Sequence, residues 1–516
     1  VQTAFLRGKE KKRLKYVIAI DVGTQSLRST VFDQRGKLHF TAGFDYSPAF
    51  YPGNRAEQDP KTWADALHHT LSRVGFYLRQ QGLAPACIAI TSQRASVIPM
   101  DASGAPLHSA LMWQDKRATR ECAQIAEIIP PAQLYAKCGL RLDPYFSLPK
   151  MLYLRNERPD IWKKTHKLIG VQDYVHYLLT GEYVTDWSQA CRTMLLDIHT
   201  FQWNKVLLDK LCLDESLLCA LCPPGSVSGH LSEKYAGLVD LPAGLPVLLC
   251  GGDQQCASLA LGLFSPGSAT INTGTGSFVL GYVDRPVFDK EQRILCSAAA
   301  IPGHWIVEAG IYASGATFNW CRRELFKHAG ESPEGFDEID AEVDATPPGS
   351  NGVLVLPHFQ GSAAPYWNPR AKGMFFNITL GTTRGELCRA VLEGIAFEVA
   401  DNIGLIEENA GTVDSVFVAG GLTRFPTYCQ ILSDALDKPV RRQNDSEASL
   451  LGCLMSACVT LGIYPSYPAA HSAIGGDGGA VSRPDADTAK LYRHMRTAKR
   501  TLYAALDTAG IYELVL

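Results

Sequence analysis

Two stretches of this chain, IAIDVGTQSLR at 18–28 and INTGTGSF at 271–278, share one construction. Each is a short apolar β-forming run that enters a Gly/Thr turn and then resumes as a second strand, RSTVFD at 28–33 in one case and SFVL at 277–280 in the other. A chain that opens each half with strand, turn and strand is constrained towards two sheets of similar plan. Its 516 residues also exceed what a single hydrophobic core usually supports. The reading is an α/β protein of two domains, 1–257 and 258–516, with the boundary just after the turn GGDQQ at 251–255.

The local signals fill in this plan. After RSTVFD the turn QRGK leads to a third strand, LHFTAGF, so the opening is rich in hairpins. EQDPKTWADALHHTLSRVGFYL at 57–78 repeats apolar residues at helical spacing, with Pro60 near the start, and CIAITSQR at 87–94 predicts a buried strand ending in polar residues. Residues 145–180 predict two helices, the second stopped by Gly181. VLLC at 247–250 predicts a strand running through GGDQQ into a helix, and 416–436 predicts strand, glycine turn and helix. IGGDGGAV at 474–481 reads as an exposed loop, and TAKLYRHMRTAKRTLYAAL as a terminal amphipathic helix with its basic residues in water.

Charge argues against a polyanion partner, because 49 Lys and Arg stand against 52 Asp and Glu for a formal charge of -3. No apolar run reaches the ~18 residues of a membrane span. The 15 cysteines are mostly scattered in apolar runs such as CLMSACV, where thiols pack as small hydrophobes. Cys219 and Cys222 are close, but the second pair or histidine set of a zinc site is missing. With no evident secretory leader, these features point to a reducing, cytoplasmic setting without nucleic acid or membrane partners. The basic opening GKEKKRLK reads as a frayed tail.

The turns carry the chemistry. Glycines let backbone amides approach phosphate oxygens, and threonine adds a hydroxyl donor. Asp21 ends the first strand as a hard oxygen ligand suited to Mg²⁺, with Thr24 and Arg28 beside it for phosphate. The alternative is a β-hairpin in which Asp21 caps its own turn. Gly274, Thr275 and Gly276 repeat the ambiguity in the second half. Neither turn is GxxxxGKS/T, a protein-kinase glycine loop, or a dinucleotide fingerprint opening a helix, which disfavours an NAD enzyme. Asp253, after a buried strand, is placed either to accept a proton from a substrate hydroxyl or to cap the helix that follows. Arg94 in TSQR and Trp113 in LMWQDKR suit the hydroxyls and carbon face of a sugar or polyol, although Trp113 and the PYF at 144–146 are also compatible with ordinary core.

In order along the chain, DVGTQSLR, WQDKR, GGDQQ, NTGTGSF, GSAAPYWNPRAKGMFFNITLGTTRGELCRAVLEGIAFEVADNI and VAGGLTRFPTYCQILSDALDKPV resemble the FGGY family of carbohydrate kinases across nearly the whole chain. The resemblance implies two ribonuclease-H-like domains of the actin and hexokinase type, closing on ATP, Mg²⁺ and a small sugar or polyol, and a possible homodimer or homotetramer. It implies Asp21 as the Mg²⁺-associated carboxylate, Thr24, Arg28, Gly274 and Thr275 at the phosphates, and Asp253 as general base. Gly310, Gly315, Ala316, Gly420 and Gly421 resemble nucleotide-side positions. Pro365, Tyr366 and Trp367 fall in a signature segment of mainly architectural character.

On the acceptor side Arg94, Trp113, Tyr145, Asp253, Gln254 and Phe278 resemble the polyol pocket of the glycerol kinase subgroup. That subgroup reads NQRE where this chain reads SQRA, so Ala95 replaces a carboxylate, and the string typical of D-xylulose kinases is missing too. The expected activity is transfer of the γ-phosphate of ATP to a small polyol or ketose. Glycerol is the rival acceptor, and a non-catalytic actin-like nucleotide-binding protein is the rival class.

Overall fold

The computed structural model describes residues 14–325, 333–443, 447–475 and 478–514. The opening GKEKKRLK falls largely outside them, as do residues 476–477 of the expected glycine loop, of which Gly475 caps helix Tyr467–Ile474 and Val481–Ser482 forms a short edge strand. Strand Tyr16–Val22 pairs antiparallel with Ser26–Asp33, which pairs antiparallel with Leu38–Asp45. On its other side Tyr16–Val22 runs parallel to Pro85–Ser92, itself parallel to Pro246–Gly252.

The second half repeats this wiring. Ser268–Thr273 pairs antiparallel with Ser277–Val283, which pairs antiparallel with Trp305–Ile311. Ser268–Thr273 also runs parallel to Ser415–Gly420, itself parallel to Val440–Arg442. The five strands named in each sheet thus lie in the order 3-2-1-4-5 among themselves, and further strands, Ser226–His230 in the first sheet and Leu295–Ala298 and Val481–Ser482 in the second, add at the margins. Residue 257 lies inside helix Asp253–Ala260, and the chain passes between the sheets at residues 261–267.

Alternation along the first strand explains its continuous apolar run. Ile18, Ile20 and Val22 pack on one face with Trp63, Leu67 and Leu71 of helix Pro60–Gln80, whose N-cap is Asp59. Val17 and Ala19 point to the opposite face. There they meet Leu450, Cys453, Leu454 and Ala457 of helix Ala448–Thr460, contributed from far along the chain. Cys87, Cys250, Cys256 and Cys458 join the same cluster, so these thiols are packing groups, as expected for CLMSACV. Gly181, at φ 84°, ends helix Val171–Thr180.

The terminal helix Ala486–Thr508 departs from expectation at one residue. Lys499 is fully buried rather than solvated, 2.6 Å from Glu398 and 3.2 Å from Asp401 on helix Arg384–Ala410. His358 lies 2.9 Å from Glu398 on the other side. Amphipathic spacing does not separate an inward lysine from an outward one, because a partner carboxylate decides. Lys499→Met should lower stability by about 3–5 kcal/mol, since two buried carboxylates lose their principal cation. Urea denaturation checks this.

Candidate active site

The carboxyl ends of the parallel strands carry most of the expected site residues. Asp21 closes strand Tyr16–Val22, and hairpin register sets it directly opposite Arg28. Arg28 lies 3.4 Å from Asp21 Oδ2 and 3.1 Å from Glu447. Ser449 donates to the same Asp21 Oδ2 at 2.7 Å, while Oδ1 is buried and has no hydrogen-bond partner among the described residues. Burial raises the pKa of Asp21, opposed by Ser449 and Arg28. A buried carboxylate oxygen lacking any donor fits a hard divalent cation better than a turn cap, which would use its oxygens on local amides.

Arg94 follows strand Pro85–Ser92 and reaches across to the second half. Its guanidinium lies 3.4 Å from Asp253 Oδ1, donates to Gln255 Oε1 at 3.2 Å, and pairs with Glu308 at 3.2 Å. Glycine at 252 permits this approach, since a Cβ there would sit 2.4 Å from Arg94 Cδ. Arg192 also binds Glu308, and all three ionic side chains are buried. Burial alone would raise the pKa of Glu308, but Arg192 and Arg94 outweigh it and hold the group at about 2.

Trp113 donates from Nε1 to Thr24 Oγ1 at 3.0 Å and meets Tyr145 edge-on, ring centroids 5.6 Å apart. Burial raises the pKa of Tyr145 against the opposing fields of Arg94 and Arg192, and Asp253 and Glu308 add to the rise, which places the phenol among these four groups. Tyr145 thus borders the Arg94 cluster while it also packs against the core, and Trp113 links it to Thr24.

Helix Asp253–Ala260 starts at Asp253 itself, with Gly252 as N-cap. Besides Arg94, the Asp253 carboxylate accepts from the adjacent Gln254 amide, at 2.7 Å, and keeps 31% side-chain exposure. Burial raises its pKa, Arg94 lowers it and Asp21 raises it again, so the two carboxylates share one electrostatic environment. Gln254 Oε1 is buried without a hydrogen-bond partner among the described residues.

Phe278 is 40% exposed and lies directly across from Gly310, two residues beyond Glu308 on strand Trp305–Ile311. Cross-strand partners and alternate residues share a face. Phe278 and Gly310 consequently share the sheet face from which Glu308 meets Arg94.

The second glycine loop forms its own cradle. Gly315 and Ala316, at the start of helix Gly315–Leu325, donate their amides to the carbonyls of Gly274 and Thr275, each at 3.1 Å. A Cβ at Gly315 would meet Gly274 O at 2.3 Å, so contact this close requires glycine. Thr273 pairs with Gly420, whose φ of 103° turns the chain into the short helical turn Gly421–Arg424. Gly274, Thr275, Gly315, Ala316, Gly420 and Gly421 therefore make one group, next to the strand that carries Phe278.

Four residues that the sequence does not single out touch these groups: Glu308 meets Arg94 and Arg192, Glu447 meets Arg28, and Ser449 meets Asp21. A lone carboxylate inside the apolar strand WIVEAGI was the one visible signal for Glu308.

Residues 16–260 match the N-terminal domain of the FGGY family of carbohydrate kinases and residues 269–461 its C-terminal domain. The chain belongs to this family. The kinase is 32% identical over 470 residues to a glycerol kinase of Trichlorobacter lovleyi, covering 87% of this chain and 91% of that protein. It is 27% identical over 461 residues to a xylulose kinase of Lactococcus lactis subsp. lactis, covering 89% and 91%. The crystal structure of a gluconate kinase from Lactobacillus acidophilus superposes with TM-score 0.88 at 25% identity, covering 96% of this chain and 98% of that one. As a member of this family the FGGY kinase is an ATP-dependent phosphotransferase with an alcohol group as acceptor, on an actin and hexokinase type of fold. Among its described residues no helix is long and apolar enough to cross a membrane.

Proposed function

We propose that this kinase transfers the γ-phosphate of ATP to a hydroxyl of a small polyol or ketose, with Asp253 as general base. The observation that carries this is the Asp253 carboxylate, partly exposed at a helix start, set against Arg94 and sharing a field with Asp21. An acceptor hydroxyl lying against Phe278, Trp113 and Tyr145 meets Arg94 and Gln254 as hydrogen-bond partners. Asp253 accepts its proton as the oxygen attacks phosphorus. Thr24, Arg28 and the Gly274–Thr275 loop orient the transferred phosphate, and the group at Gly315, Ala316, Gly420 and Gly421 takes the nucleotide. Asp21, through its unpartnered oxygen, would hold Mg²⁺, which neutralises phosphate charge when bound. Closure of the halves, already bridged by Arg94 and Glu308, excludes water that would otherwise consume ATP.

Ala95 turns the choice of acceptor away from glycerol. A methyl group in place of a carboxylate removes one acceptor for a substrate hydroxyl, worth on the order of 1–3 kcal/mol where buried, and leaves room for a longer chain. ADP release with glycerol, D-xylulose and a panel of polyols should show a larger kcat/KM for an acceptor longer than glycerol. Ala95→Glu should move the preference towards glycerol. A wide margin for glycerol in the unaltered enzyme refutes the assignment.

A further inference from the structure

Lys150, on helix Ser147–Glu157, is fully buried, and among the described residues no carboxylate forms an ion pair with it. Its ammonium donates to three backbone carbonyls instead: Phe146 at 3.2 Å, Ala95 at 3.5 Å, and Tyr145. An ammonium has three N–H donors, so the set is filled. Two of the carbonyls belong to separate walls of the acceptor pocket, the Arg94–Ala95 turn and the Tyr145 loop.

The Arg94–Ala95 turn needs such an anchor. Ala95 has φ 66°, in the left-handed region, which costs a non-glycine residue roughly 1–3 kcal/mol unless its surroundings hold it. The next residue, Ser96, accepts the backbone N–H of Trp113 at 3.1 Å, so a shift of this turn moves Arg94 and Trp113 together.

We propose that Lys150 is a positioning residue for the acceptor pocket, tying the turn that presents Arg94 to the loop that presents Tyr145 and thereby setting the width of the site. The role rests on the kinase reading of that pocket. Lys150 faces the Tyr145 ring at 6.0 Å and the fields of Asp115, Asp143, Cys122 and Lys116. Burial pulls its pKa down to about 7, opposed by Asp115, Asp143 and Cys122. The charged, three-donor form is therefore complete below pH about 7 and lost above it, when one carbonyl is released.

The test is steady-state kinetics of wild type, Lys150→Met and Lys150→Arg with whichever of glycerol, D-xylulose and D-gluconate is turned over, together with the crystal structure of Lys150→Met. Lys150→Met should raise the acceptor KM about tenfold or more while the KM for ATP changes less than twofold, and Ala95 should leave its left-handed conformation. The wild-type acceptor KM should climb as pH rises through about 7, and Lys150→Arg, always charged, should lack that limb. Equal rises in both KM values, or an unchanged Arg94–Ala95 turn in the variant, would overturn the role. If Lys150→Met does not fold, the pH limb and its loss in Lys150→Arg decide. If wild type phosphorylates none of the three acceptors, the kinase reading of the pocket falls, while the conformation of Ala95 in the variant still tests the anchoring.

Discussion

Asp253→Asn should lower kcat by about 10²–10⁴-fold and leave ATP affinity within about twofold, because the amide keeps the shape of the side chain and cannot take a proton. Among the described residues the Asp253 carboxylate meets Arg94 and its own neighbouring amide, and no hydrogen bond ties it to the Gly274 and Gly315 loop. The substitution therefore removes the base without disturbing the cradle at Gly274 and Gly315. Initial rates with saturating ATP, beside ATP titration by calorimetry, separate the two effects. The pH dependence has a definite sign. Burial and Asp21 raise the pKa of Asp253 despite Arg94, so the ionised base is lost as pH falls through a value above the ordinary carboxylate range. Turnover should fall on that acid limb, and Asp253→Asn should abolish the limb along with the rate. A variant that retains wild-type turnover would leave Asp253 as a helix-start residue and nothing more.

The residues legible in the sequence are those whose geometry is local. Asp21, Thr24 and Arg28 lie on one hairpin, so their proximity follows from strand, turn and strand, and the structure sets Asp21 opposite Arg28. Asp253 was readable as the polar end of a buried strand, although spacing alone left capping open. The structure separates the two by making Gly252 the cap. Ser449 and Glu447 were not readable, since their partners Asp21 and Arg28 lie 428 and 419 residues away. They arrive only because helix Ala448–Thr460 covers the outer face of the first sheet. That helix is apolar nearly all round, which announces burial but not against what. Lys150 and Lys499 show the converse limit. A lysine in a helical pattern predicts solvent, and burial is made tolerable by partners the pattern does not show: for Lys150 the carbonyls of Tyr145 and Phe146 just before it and of distant Ala95, for Lys499 two carboxylates of another helix.

Glu308 joins the two halves through a buried ion pair, and removing its charge should have the second large effect. Arg94 and Arg192 come from the first half, Glu308 from the second, and all three are buried. Glu308→Gln takes the counter-charge from buried Arg192 and leaves Arg94 with Asp253 alone, which should lower stability by about 3–5 kcal/mol. It should also reduce kcat/KM, because Arg94 loses the anchor that holds it beside Asp253. A double variant distinguishes these consequences. Glu308→Leu with Arg192→Leu removes the anion together with one cation, and should recover much of the lost stability without restoring kcat/KM, since the positioning of Arg94 stays absent. Glu308 is held at about 2, below the 4.5 of an unperturbed glutamate, so its stabilising contribution is present above about pH 4.5 and disappears as pH falls towards 2. Urea denaturation from pH 7 to pH 3 should show that acid loss in wild type and a smaller one in Glu308→Gln. Equal stability of Glu308→Gln and wild type at pH 7 would mean that the arginines find other partners, and that the two halves do not depend on this ion pair to meet.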